Sequence, residues 1–131
     1  MQNAETMKLL RKVLGWLCIL LAPLSVGFGF LAYELNGPHF WYSISATYYA
    51  SSKLWMIGLL FAASITFLCY RGYDSKDNWL ANLSGIFAFG VIAFPCATDK
   101  AGLTEGLFNL PIGISNIIHC ASAALYLFLL Q

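Results

Sequence analysis

The sequence predicts an all-α fold, an integral membrane helical bundle with four transmembrane helices forming one domain over residues 1–131. Three observations lead there. Hydrophobic residues make up 60% of the 131 residues and charged residues only 10%. The mean hydropathy is +0.71. The apolar residues fall in four long runs separated by short polar stretches. A soluble domain of this length could not hide so much apolar surface, because small folds leave a large share of their chain exposed. Lipid removes the difficulty by acting as solvent for apolar side chains. The net charge of +1 gives no attraction for a polyanion, so nucleic acid is set aside as a partner.

The first run, about residues 13–33, follows Lys8, Arg11 and Lys12. About 21 residues of helix extend about 31 Å, enough to cross the hydrocarbon core. A signal peptide is the rival reading. The run is long for one and lacks a small-x-small cleavage site, so a retained helix is favoured. Pro23, Gly27 and Gly29 suit a membrane helix that kinks or packs closely. Asn36-Gly37-Pro38 then marks a turn. Trp41, Tyr42, Tyr48 and Tyr49 follow, residues suited to the headgroup level.

The second run covers 53–71 and the third 79–97. The charged link between them is short, so the two helices are expected to be antiparallel neighbours. Asp77 or Asn78 is the expected cap of the third helix. Ala81/Gly85 and Ser84/Ala88 are small residues four apart, which permits close approach of backbones. After a loop carrying Asp99, Lys100 and Glu105 comes the fourth run, 112–130. Lys8, Arg11, Lys12, Arg71 and Lys76 fall on one side of the bundle, Lys53 and Lys100 on the other. The excess of positive charge places the N-terminus in the cytoplasm and both longer loops outside. The final residues, Leu125 to Gln131, carry no basic anchor. The expectation is the front part of a longer bundle; the alternative is a chain ending abruptly at the cytoplasmic face.

Within the fourth run Ser115, His119, Ser122 and Tyr126 are spaced four, three and four apart, which aligns them on one helical face. Polar groups at bilayer depth turn away from lipid, so this face should look into the bundle or into a wet pocket. Topology brings His119 toward the outer loops, where Asp99, His39, Ser43 and Ser45 lie. Two chemistries are open to that set. An imidazole oriented by a carboxylate could activate a hydroxyl or water, with Ser43, Ser45, Asp99 and His119 as the catalytic candidates. Alternatively His39, Asp99 and His119 could ligate a metal, zinc being the candidate cofactor, that lowers the pKa of bound water. No HExxH or GxSxG spacing is present. Four cysteines (Cys18, Cys69, Cys96, Cys120) lack CxxC spacing and read as apolar filler, with Cys96 and Cys120 close enough in topology for pairing to be conceivable.

The segments Ser43 to Tyr49, Tyr70 to Asp74, Ala88 to Pro95 and Ile118 to Ala123 resemble a family of bacterial multi-span membrane proteins without an assigned activity. The likeness covers about two thirds of the chain, and it implies further helices beyond residue 131. A weaker likeness is to the superfamily of alkaline ceramidases and related seven-span proteins, which gather a Ser, an Asp and three His around zinc. On that likeness Ser43 or Ser45, Asp99 and His119 would take those parts, and His39 a further one. The paired histidines of a later helix have no counterpart here, so this analogy reaches only the fold. Three function classes follow: a structural or accessory membrane component with an outward polar pocket, a membrane-embedded hydrolase of lipid or amide substrates, or a small transporter or channel component. Membrane lipid is the expected partner in each, together with a second copy or another membrane subunit.

Overall fold

The computed structural model describes residues 2–36, 43–49, 52–97 and 104–130. Among these, four helices carry the fold: α1 (Gln2–Asn36), α2 (Lys53–Cys69), α3 (Ser75–Ala93) and α4 (Ile112–Leu129). A short 3₁₀ helix, Ser45–Tyr49, precedes α2, and Thr104–Glu105 pairs antiparallel with Leu110–Pro111 before α4. Consecutive helices pack on one another, α1 on α2, α2 on α3 and α3 on α4. Two helical stretches, Ala4–Leu31 and Ile112–Leu129, are long and apolar enough to cross a membrane, and the apolar α2 has 17 residues.

The apolar residues divide between a small interior and a broad outer sheath. Met56, Leu60, Phe67, Ala88, Val91 and Tyr126 form the buried cluster. Trp16, Ile19, Leu54, Trp79, Ile117 and Phe128 are all more than 60% exposed. Water would penalise such a sheath heavily, since each large apolar side chain left wet forgoes about 1.5–3 kcal/mol.

The third helix differs from expectation at its start. It begins at Ser75, not Trp79, and its cap is Asp74, whose side chain accepts from the Asp77 N–H at 2.8 Å. Asp77 and Asn78 instead reach back: Asp77 accepts from the Tyr73 N–H at 3.3 Å, and Asn78 from the Gly72 N–H at 2.6 Å. The first turn is polar, and capping rather than hydropathy sets where it starts. The helix stops at Ala93 because Pro95 disfavours helical backbone at Phe94, which sits at φ −118 and ψ 100.

Small residues let α3 lie close to its neighbours. Ala81, Ser84, Gly85 and Ala88 are all buried. Ser64 on α2 donates to the Gly85 carbonyl at 2.7 Å, and a Cβ on Gly85 would sit 2.9 Å from the Ser64 carbonyl oxygen. On the other side a Cβ on Gly90 would sit 2.6 Å from Ser122 Oγ. The sequence spacing that predicts close approach is thus realised against α2 through Gly85, while the approach to α4 is made by Gly90, outside that spacing.

Candidate functional site

At the end of the bundle that holds the 3₁₀ helix, the chain leaves α3 in extended form and exposes a run of carbonyls. Interrupting a helix leaves its last C=O groups without intrahelical donors, and burial makes that expensive. Donors arrive from every side. The Leu107 N–H donates to the Ala93 carbonyl at 3.0 Å. His119 Nδ1 lies 2.7 Å from the Phe94 carbonyl and 3.1 Å from that of Val91. Ser115 donates to Pro95 at 2.9 Å, and Tyr49 to Cys96 at 2.7 Å. The Asn116 side-chain carbonyl accepts from the Ala97 N–H at 2.8 Å.

The polar stripe of α4 therefore faces inward, as its spacing predicts. Ser115, His119, Ser122 and Tyr126 are all buried. Tyr126 packs edge-on against Phe67 with centroids 6.1 Å apart. Among the described residues Nδ1 of His119 meets only carbonyl acceptors, so in the neutral ring it is the nitrogen that carries the proton. Nε2 is then a bare acceptor, and Ser45 Oγ lies 2.9 Å from it, placed to donate.

The tight turn before Ser45 explains its aim. Ser43 accepts from the Ala46 N–H at 3.1 Å, and the Thr47 hydroxyl donates to the Ile44 carbonyl at 2.5 Å. This winds the 3₁₀ helix, buries Ala46, Thr47 and Tyr48, and turns Ser45 toward α4. Of the two serine candidates, Ser45 thus meets His119, while Ser43 caps its own turn. His39 and Asp99 lie outside the described residues. The orienting partner of His119 among the described residues is a pair of backbone carbonyls.

Chemically, the Ser45–His119 pair has the donor–acceptor order of a nucleophile and its base, with Nδ1 held by a third group. The N–H groups of the two residues after Ser45 are already engaged, Ala46 by Ser43 and Thr47 by Ile44, which leaves neither of these free to stabilise an oxyanion. Among the described residues no three His, Cys, Asp or Glu side chains gather as metal ligands. The metal reading needs His39 and Asp99, which are not among them.

Tyr49 and Cys96 belong to this network although nothing in their spacing singles them out. Pro95 was the available signal, since a proline just past a helix announces carbonyls in need of donors. Cys96 and Cys120 are free thiols. The Cys96 S–H donates to the Ser45 carbonyl at 3.3 Å. Cys96 is only partly exposed and its S–H is engaged, so iodoacetamide should modify it several-fold more slowly in the folded protein than in SDS at pH 8, read by peptide mass spectrometry. Equal rates in folded and unfolded protein would contradict this.

Comparison with known proteins returns no match, whether to a family model, a curated protein or a solved structure.

Proposed function

We propose that the chain is a four-span component of a bacterial cytoplasmic membrane, N-terminus inside, with a structural or accessory role. The exposed apolar sheath supports the membrane setting. Helices of 17, 19 and 18 residues for α2 to α4 reach about 26, 29 and 27 Å, close to the thickness of the hydrocarbon core. The basic residues gathered near the α2–α3 link and the start of α1 support the orientation. The family resemblance to bacterial multi-span proteins belongs to the same proposal.

One observation carries the structural role. The polar face of α4 is a capping device for α3: the Ser115 hydroxyl and His119 Nδ1 are engaged by carbonyls of residues 91, 94 and 95. In lipid those carbonyls have no water to turn to, so each needs a protein donor. A stripe that answers that need explains why polar residues recur at bilayer depth without any substrate.

A second reading rests on the 2.9 Å contact between Ser45 and His119, which fits a membrane-embedded serine hydrolase. A fluorophosphonate probe separates the two. On the structural reading the folded, detergent-purified protein stays unlabelled at Ser45, and Ser45→Ala lowers stability by about 1 kcal/mol, the net worth of one hydrogen bond. Labelling at Ser45 that vanishes in both Ser45→Ala and His119→Asn would replace the structural reading with the hydrolytic one.

A further inference from the structure

The opposite end of the bundle holds two adjoining cavities of contrasting character. The smaller, about 310 Å³, is flanked by Lys8, Arg11, Arg71 and Tyr73. The larger, about 540 Å³, runs between helices and is lined mainly by apolar side chains, among them Leu14, Phe67, Leu80, Ala81 and Leu129. Arg11 and Tyr73 line both, so the cationic recess adjoins the apolar groove. We propose that this pair of cavities binds one anionic phospholipid from the adjacent leaflet, its phosphate in the recess and an acyl chain in the groove.

Arg11 is prepared for that task. Its Nε–H donates to the Tyr70 hydroxyl at 3.0 Å and its Nη1 to the Tyr73 hydroxyl at 2.8 Å. The guanidinium also lies 4.5 Å from the Tyr73 ring centroid. Of five guanidinium N–H groups, two are thereby engaged and three stay available for phosphate oxygens, in a plane the two phenols hold fixed. Such ordering before binding removes much of the entropy cost of capturing a ligand.

The local carboxylates offset this cluster only in part. Asp74 accepts from the Asp77 N–H and Asp77 from the Tyr73 N–H, and Asp77 lines the groove beside Arg11. Lys8, Arg11 and Arg71 around the recess outnumber that one lining carboxylate, so the site stays net positive and charge complementarity selects an anionic occupant. A free phosphate would leave the groove of about 540 Å³ empty. A zwitterionic lipid would bring a cation toward Lys8 and Arg71. An anionic amphiphile satisfies both cavities, with its headgroup at the level where basic residues meet the membrane surface.

This inference rests on the membrane placement above but is tested apart from it. Native mass spectrometry of the detergent-released protein, titrated with phosphatidylglycerol or phosphatidylcholine of matched chains, should give one phosphatidylglycerol adduct and little phosphatidylcholine adduct. The Lys8→Gln/Arg71→Gln double variant should weaken the adduct about thirtyfold while its thermal midpoint holds, given the contribution of each basic residue at an anionic surface. Leu80→Trp, which fills the groove, should weaken it as well. Glycerol phosphate, the headgroup without chains, should give no adduct. Equal retention of the two lipids, an undiminished adduct in the folded double variant, or glycerol phosphate bound as well as the lipid would each overturn the site. A chain monodisperse without detergent would overturn the membrane reading itself.

Discussion

Replacing His119 with alanine should lower stability by about 3 to 5 kcal/mol, because buried partners left unmet cost about 1–3 kcal/mol each. The imidazole serves the Phe94 and Val91 carbonyls and the Ser45 hydroxyl at once. It is also 3% exposed, so its removal leaves a void between α3 and α4 as well. His119→Asn gives the contrast that identifies the cause. Its amide N–H can stand where Nδ1 stands and keep the Phe94 contact, while the reach to Ser45 is lost. The asparagine variant should therefore keep about half of what alanine loses. Denaturation in mixed micelles, followed by helical circular dichroism, reads both. If the two variants were equally unstable, the capping role of Nδ1 would be wrong, and if both matched the wild type, the network would contribute nothing.

Gly85→Leu should be the second severe substitution. A single added Cβ already meets Leu68 Cγ at 2.8 Å and the Ser64 carbonyl oxygen at 2.9 Å. Leu68 can rotate, but the Ser64 oxygen belongs to the α2 backbone and can move only with its helix. Gly85→Ala should cost about 1–3 kcal/mol as overpacking, with leucine worse. The displacement would also lengthen the 2.7 Å bond from Ser64 Oγ to the Gly85 carbonyl. Gly58 supplies the control, since nothing lies within 4 Å of a Cβ there. Gly58→Ala should be neutral or slightly stabilising, through the better helix propensity of alanine. Were Gly85→Ala equally harmless in the same unfolding measurement, the close packing of α2 on α3 would be refuted.

These two residues also show what the sequence discloses and what it hides. Periodicity finds local facts. The recurrence of Ser115, His119, Ser122 and Tyr126 is legible because a helix repeats every three to four residues, and the stripe proves buried as a unit. The small-residue spacing in α3 is legible for the same reason. The partners of the stripe are not, because a backbone carbonyl has no letter of its own. Only Pro95 hints that residues 91 to 96 need donors. The start of α3 escapes hydropathy because Ser75 to Asn78 are polar yet helical, held by Asp74. Ser43 and Ser45 are equivalent on paper, and only the tight turn between them decides which one reaches α4. Arg11 meeting Tyr70 and Tyr73 across about 60 residues of chain leaves no periodic trace at all.

The bond joining Ser45 to His119 spans 74 residues of chain. During synthesis and insertion, the segment holding Ser45 emerges long before the helix that completes its contacts. α1 and α2 can meet early, but the proline-ended tip of α3 and the turn ahead of α2 must wait for α4 before their polar groups are satisfied. α4, emerging after the other three, is thus the helix that locks this end, and an assembly interrupted before it would expose bare carbonyls on an apolar surface.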